Sequence, residues 1–122
     1  MSRKREHTMK SILIVDDDMN LLNIMSSILE KQKFKVHKAM SVQTALKLLE
    51  SNAVDVICSD FNMPDGTGLD LLEKLRQQNI STPFMLMSGN DDSRLEHEAE
   101  RLGGSFCCKT DYELIAKIKE MI

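Results

Sequence analysis

The sequence has few aromatic residues: among its 122 residues are one Tyr, four Phe and no Trp. Since 42% of the residues are hydrophobic, the chain can still bury one sizeable core, which must consist mainly of Leu, Ile, Val and Met. The chain also has no excess of positive charge, with 16 Lys and Arg residues against 19 Asp and Glu residues. The net charge of −3 gives no support for nucleic-acid binding by the surface as a whole. The one basic cluster is Arg3-Lys4-Arg5, which we expect to be a solvated chain terminus.

Long apolar runs are missing as well. No run approaches the roughly 18 residues needed to cross a bilayer. The apolar run after the charged N-terminus has only five residues, too few for a signal peptide. The three cysteines, Cys58, Cys107 and Cys108, form no CxxC spacing and lie in strand-like runs, which favours reduced thiols. We therefore expect a cytoplasmic protein that makes no membrane contact.

Strand-like apolar runs alternate regularly with helix-like stripes along the whole chain. The predicted strands are 11–15, 34–38, 54–60, 84–87 and 105–108. The predicted helices are 19–31, 41–50 with Ser41 as N-cap, 69–78, the weakly anchored 91–102, and a last helix behind a capping box at Thr110-Asp-Tyr-Glu113. This alternation predicts an α/β fold with a doubly wound, five-stranded parallel sheet and helices on both faces. We expect residues 1–10 to be flexible and residues 11–122 to form one domain.

Polar side chains follow four of the predicted strands at the point where each strand ends. Asp16 and Asp17 follow the first strand and Asp60 ends the third. Ser88 follows the fourth strand and Lys109 the fifth. Open α/β sheets bind ligands beyond the carboxyl ends of their strands, at a topological switch point. We therefore expect these five side chains to share one site.

The three carboxylates of this expected site favour a divalent cation. Carboxylates that meet near one point repel each other, and a hard cation with oxygen ligands relieves the repulsion. We predict Mg²⁺ or Mn²⁺, with Asp17 and Asp60 as direct ligands and Asp16 acting through water. The backbone carbonyl of Asn62 is predicted to complete the protein ligands.

The same site suits a phosphoryl group in transit. The equatorial oxygens of such a group carry its negative charge, so a cation, the Lys109 ammonium and the Ser88 hydroxyl would stabilise it. An Asp carboxylate can accept the phosphoryl group covalently, which gives an acyl phosphate. Asp60 closes a buried apolar strand, where an uncompensated charge is costly, and is the predicted acceptor.

In this order, the segments IVDDD, SDFNMPDGTGLDLL, MSG and CCK closely resemble the receiver domains of two-component response regulators. The most specific part is DxxMP at Asp60, with Gly68 eight residues after the Asp. The resemblance covers about residues 11–122. It implies a flavodoxin-like (βα)5 fold with strand order 2-1-3-4-5. It also implies that Asp60 takes its phosphoryl group from the phosphohistidine of a sensor histidine kinase or a histidine phosphotransferase.

The resemblance further implies a conformational switch rather than a dedicated enzyme. Ser88 would be the switch hydroxyl and Phe106 the switch aromatic, reshaping the surface of the fourth helix, the fifth strand and the last helix for a downstream effector. Thr110 stands where the family usually has Pro, so we predict a trans Lys109–Thr110 bond. The effector, the cognate kinase and dimerisation through the last two helices stay open. We expect no output domain within these residues.

Two other functions share parts of this pattern. Asp16 and Asp18 form a DxD after the first strand, as in magnesium-dependent phosphatases of the haloacid-dehalogenase type. That class would leave the DxxMP element at Asp60 unexplained, and it normally needs a cap or a longer chain. A flavodoxin-like flavin binder would need a Ser/Thr/Gly-rich phosphate loop after the first strand, where this chain has acidic residues that repel phosphate.

Overall fold

The computed structural model describes residues 9–122. The basic cluster Arg3-Lys4-Arg5 lies outside the described residues, as does most of the segment 1–10 that was predicted to be flexible. Strands and helices of the described part are β1 (Ser11–Val15), α1 (Met19–Lys31), β2 (Lys35–Ala39), α2 (Val42–Ser51), β3 (Val56–Asp60), β4 (Asn62–Met63), β5 (Gly66–Thr67), α3 (Gly68–Gln77), β6 (Phe84–Ser88), α4 (Ser93–Arg101), β7 (Ser105–Cys108) and α5 (Leu114–Glu120). Within residues 9–122, no helix combines the length and apolarity that crossing a membrane requires.

The five long strands form one parallel sheet in the order β2-β1-β3-β6-β7. Counting only these long strands, this is the order 2-1-3-4-5, so the predicted fold is confirmed. The chain reverses its direction of progress across the sheet between β1 and β3, which pair directly from Ile12↔Val56 to Val15↔Ser59. The crevice beyond the carboxyl ends of β1 and β3 is therefore the switch point at which such sheets bind ligands.

Each face of the sheet carries its own apolar core. One face packs α1 and α5 against alternate residues of the strands, the fully buried side chains including Ile12, Ile14, Val56, Cys58 and Met87. The other face packs α2, α3 and α4, with Leu13, Ile57, Phe84 and Leu86 fully buried. Residues that point to opposite faces alternate along a strand. The continuous apolar runs of the sequence therefore reflect strands that are covered on both sides.

Side-chain caps fix where most of the helices begin. Asp18 accepts a hydrogen bond from the Leu21 amide, and Ser41 accepts one from the Thr44 amide. Thr67 starts α3 through a reciprocal capping box. Such a cap contributes about 1 kcal/mol to helix stability. These positions agree closely with the predicted boundaries of α1 and α2.

The predicted capping box before the last helix is wrong. α5 begins only at Leu114, and Glu113 caps it without a side-chain hydrogen bond. Asp111 takes the local donors instead, since its carboxylate accepts hydrogen bonds from the Glu113 amide at 2.8 Å and from Lys117 Nζ at 2.8 Å. An Asp can hold a turn through its own carboxylate, and here that turn delays the helix.

A short hairpin, β4–β5, joins β3 to α3 and was not predicted. Gly68, the first residue of α3, follows the hairpin directly, and its amide donates a 2.8 Å hydrogen bond to the Phe61 carbonyl. A Cβ atom at Gly68 would lie 2.5 Å from the Asp60 carbonyl oxygen and 2.6 Å from Leu86 Cδ1. Only glycine lets the start of α3 approach the end of β3 this closely, so Gly68 fixes the backbone that carries Asp60.

Replacing Gly68 by Ala should therefore destabilise the fold. We expect Gly68→Ala to lower the free energy of unfolding by about 1–3 kcal/mol, the usual cost of overpacking a filled core. Gly89→Ala is the matched control, because a Cβ there has no atom within 4 Å. Urea unfolding measures both variants. Equal stability of the two variants would contradict the close approach at Gly68.

Candidate functional site

Three charged side chains lie at the carboxyl ends of strands, on the same face of the sheet. Asp60 is the last residue of β3, and Asp16 and Lys109 directly follow β1 and β7. Asp16 comes two residues after Ile14, Asp60 two after Cys58, and Lys109 two after Cys107. Ile14, Cys58 and Cys107 all belong to the core on the α1 and α5 side. Because alternate residues share a face, the carboxylates and the ammonium meet beyond the strands on that side.

The Lys109 ammonium lies between the two buried carboxylates. Its Nζ is 2.8 Å from Asp16 Oδ2 and 3.4 Å from Asp60 Oδ1. Asp16 is fully buried, and its Oδ1 accepts a 2.9 Å hydrogen bond from the Asp18 amide. Asp16 Oδ2 forms the ion pair but has no partner of hydrogen-bond geometry among the described residues. Lys109 is thus held by one acid within reach of the other.

Burial and neighbouring charges shift the pKa values of the pair in the same direction. Burial raises the pKa of Asp60 above its ordinary value; Lys109 opposes this shift and the Asp16 charge adds to it. Burial also disfavours the Lys109 ammonium, but its contacts with Asp16 and Asp60 outweigh burial and raise the Lys109 pKa. Lys109 therefore stays charged at neutral pH, whereas the Asp60 carboxylate is held at a cost.

The acidic residues fit a divalent cation. One carboxylate oxygen each from Asp16, Asp17 and Asp60 lies within 4.8 Å of the others. Among residues 9–122, Asp16 Oδ2 is a buried oxygen without a hydrogen bond, and Asp17 is exposed, so the cluster opens to solvent. Oxygen donors around a partly open position are what Mg²⁺ requires, since it keeps several waters. Asn62 begins the hairpin two residues after Asp60.

Asp18 does not share this site. The Asp18 carboxylate caps α1 by accepting a hydrogen bond from the Leu21 amide. Among the described residues, the acids that could hold a metal are Asp16, Asp17 and Asp60, without Asp18. The DDD run therefore divides into a buried acid, an exposed acid at the site and a helix cap. A phosphatase that uses Asp16 and Asp18 as a pair is not supported by this arrangement.

Phe106 packs against the core on the α2, α3 and α4 side of the sheet, and Ser88 ends the neighbouring strand β6. Leu86 pairs with Phe106 and Ser88 with Cys108, so Ser88 and Phe106 are diagonal neighbours across β6 and β7. The Lys109 amide donates a 2.7 Å hydrogen bond to the Ser88 carbonyl, which joins the two strand ends. The Lys109–Thr110 bond is trans, as predicted, because residues 9–122 contain no cis peptide.

Comparison with known proteins settles the family. The model of the response regulator receiver domain matches residues 12–110. The chain belongs to this family. The receiver domain of the Francisella response regulator 1452 is 30% identical, with a TM-score of 0.85 over 92% of this chain and 95% of that one. Receiver domains are phosphorylation switches rather than dedicated enzymes and have histidine kinases as partners, and the pocket of Asp16, Asp17 and Asp60 agrees with that function.

Two further response regulators are similar to this chain, one by sequence and one by structure. The response regulator SaeR of Staphylococcus aureus is 27% identical over 117 residues, which are 93% of this chain and 51% of SaeR. The chain thus spans about half the length of the curated relatives it matches. The response regulator TrrA of Thermotoga maritima, solved in complex with Mg(2+)-BeF, is 24% identical, with a TM-score of 0.82 over 93% of this chain and 100% of that one. At that identity the likeness concerns the fold.

Sequence reasoning missed Asp65, which the structure connects to the first turn of α2. Its two carboxylate oxygens accept hydrogen bonds from the Val42 amide at 2.8 Å and the Gln43 amide at 2.9 Å. These two bonds hold the pKa of Asp65 below its ordinary value. In the sequence, Asp65 is one more turn residue between Pro64 and Gly66. No local pattern distinguishes it, because its partners lie more than 20 residues away.

Neutralising Asp60 should stabilise the metal-free fold. Because its pKa is raised on folding, the native state binds this proton more tightly than the unfolded chain, so ionisation of Asp60 lowers stability as the pH rises through the folded pKa. We expect Asp60→Asn to melt a few degrees higher than wild type at pH 7 with a metal chelator present. The difference should shrink at acidic pH, where wild-type Asp60 is protonated. Thermal unfolding followed by circular dichroism measures it.

A control separates this effect from a general loss of negative charge. Asp55 lies at the opposite end of the sheet, where its carboxylate accepts a hydrogen bond from the Ser11 amide. Asp55→Asn should therefore not stabilise the fold at pH 7. An Asp60→Asn variant that melts no higher than wild type at pH 7 would mean that the Asp60 carboxylate is already fully compensated.

Proposed function

We propose that Asp60 accepts a phosphoryl group from a phosphohistidine and that the domain signals through the resulting change in shape. An Asp60 oxygen attacks the phosphorus, the O–P bond forms, and the P–N bond breaks with its electron pair returning to the histidine nitrogen. The product is an acyl phosphate on Asp60. The observation that carries the proposal is the Lys109 ammonium between Asp16 and Asp60, 2.8 and 3.4 Å away.

Lys109 supplies positive charge on one side of the reacting group. Its ion pair with buried Asp16 fixes the ammonium, so little reorganisation is needed when negative charge builds up on the phosphoryl oxygens. Asp16, Asp17, Asp60 and the Asn62 carbonyl would hold Mg²⁺ or Mn²⁺. When bound, the cation neutralises phosphoryl oxygens and relieves the repulsion between the carboxylates.

The proposed response to phosphorylation runs through Ser88 and Phe106. The phosphoryl group draws the Ser88 hydroxyl inward, and Phe106 turns into the space that it leaves. Two features support this: Ser88 and Phe106 are diagonal neighbours on one face, and Phe106 is only partly buried. α4 covers that face with a single fully buried residue, Ala99, so this helix is weakly anchored.

The partners follow from this chemistry. The phosphoryl donor is the histidine of a sensor kinase or of a histidine phosphotransferase, and the message passes to an effector that recognises the surface of α4, β7 and α5. Since the chain matches about half of SaeR, that effector is either a further domain of a longer regulator or a separate protein. The Asp16/Asp18 phosphatase is the less favoured alternative, because Asp18 caps α1.

A small phosphodonor tests the acceptor directly. We expect wild-type protein incubated with acetyl phosphate and Mg²⁺ to gain the mass of one phosphoryl group, since the Asp60 carboxylate is oriented beside Lys109. Asp60→Asn should gain none, whereas the control Asp55→Asn should gain one. Intact-protein mass spectrometry makes the measurement. An adduct that survives Asp60→Asn, or steady turnover of a phosphomonoester that depends on Asp18, would overturn the proposal.

The switch is tested by the conformation of Phe106. Crystal structures with and without Mg²⁺ and beryllofluoride should show two different Phe106 rotamers. With Asp60 phosphorylated to the same extent, Phe106→Ala should reduce the change in amide exchange of α4, because the coupling side chain is gone. Phe106→Tyr, which keeps the ring, should restore the change. One rotamer in both structures would remove Phe106 from the switch.

A further inference from the structure

The loop that follows Asp60 is anchored at its two ends by backbone contacts. The Phe61 amide donates a 2.8 Å hydrogen bond to the Met87 carbonyl, and the Gly68 amide donates one to the Phe61 carbonyl. Between these bonds the hairpin β4–β5 projects from the sheet, with only Met63 packed into the core. The carbonyl of Asn62, a proposed metal ligand, lies in this projecting part, so its position depends on what holds the hairpin.

Asp65, at the tip of the hairpin, reaches a different part of the chain. Its Oδ1 and Oδ2 each accept one first-turn amide of α2, from Val42 and Gln43. A carboxylate fits there because the first amides of a helix have no intrahelical acceptor and carry partial positive charge. Two bonds from one carboxylate fix both the distance and the orientation of the tip relative to α2.

We propose that Asp65 is a positioning residue for metal binding: by tying the hairpin to the first turn of α2, it holds the Asn62 carbonyl at the cation site beside Asp60. Asp65 itself does not touch the metal. The inference rests on the proposed function, since it assigns a role toward the cation that Asp16, Asp17 and Asp60 would hold.

The chain offers a matched control at the same helix end. Ser41 caps the first turn of α2 by accepting a hydrogen bond from the Thr44 amide, and among residues 9–122 its side chain has no hydrogen bond to the hairpin. Ser41→Ala and Asp65→Ala therefore both remove a cap from α2, and only the second releases the loop. Asp65→Asn keeps one acceptor oxygen out of two and should give an intermediate result.

Metal binding is measured without phosphoryl transfer. By isothermal titration calorimetry of the full chain with MgCl₂, we expect Asp65→Ala to raise the Mg²⁺ dissociation constant about tenfold, the lower end of the range for residues that orient metal ligands. Ser41→Ala should leave it close to wild type. Hydrogen exchange should speed up across residues 61–67 in Asp65→Ala and not in Ser41→Ala. In acetyl phosphate assays, Asp65→Ala should need more Mg²⁺ for half-maximal rate while reaching the wild-type rate at saturation.

The outcomes separate this inference from the function on which it rests. If wild type binds Mg²⁺ and Asp65→Ala binds it no more weakly than Ser41→Ala, the positioning role is wrong and the proposed function stands. If wild type binds no Mg²⁺, the metal site itself fails and the positioning role falls with it. Unchanged exchange of residues 61–67 in Asp65→Ala would overturn the tie to α2, whatever the metal affinity.

Discussion

The site depends on the Lys109 ammonium, which lies between the buried carboxylates of Asp16 and Asp60 and attracts both. Asp16 is fully buried and Asp60 nearly so, and a buried charge without a partner is costly. Lys109 compensates both from the last strand of the sheet, at 2.8 and 3.4 Å. The compensation is incomplete, because one cation faces two acids and Asp16 Oδ2 has no hydrogen bond to any residue that the structure describes. The remaining negative charge is what makes a divalent cation a favourable addition.

The rest of the fold keeps these groups in register. β1, β3 and β7 deliver Asp16, Asp60 and Lys109 to one edge because their apolar rows pack on the same side of the sheet. Gly68 lets α3 close against the Asp60 backbone. The packed core therefore fixes the positions of the strand ends. The exposed edge beyond the carboxyl ends of the strands leaves room for a cation and a phosphoryl group.

The opposite face of the sheet suits a change of shape. α4 contributes one fully buried residue, Ala99, and lies over the half-buried Phe106. At the C-terminal end of α4, Arg76 Nε donates a 2.8 Å hydrogen bond to the Leu102 carbonyl. Arg76 Nη1 donates another hydrogen bond to the Ile80 carbonyl. α4 is thus held at its C-terminal end and lightly packed elsewhere, which agrees with a helix that moves while the sheet stays in place.

The residue pattern alone predicted the alternation of strands and helices, the cap at Ser41, the helix start after Asp18 and the set of polar residues at the strand ends. Those features depend on periodicity and on neighbours within about four residues, which any reader of the chain can see. The partners of Asp16 and Asp65 could be identified only in the folded chain, where Asp16 faces Lys109 and Asp65 bonds to the first turn of α2. The structure also shows that α5 starts only at Leu114, because the Asp111 carboxylate accepts hydrogen bonds from the Glu113 amide and Lys117 Nζ. Such roles follow from contacts between groups that the folded backbone brings together, and the local pattern around each Asp is the same whichever partner it finds.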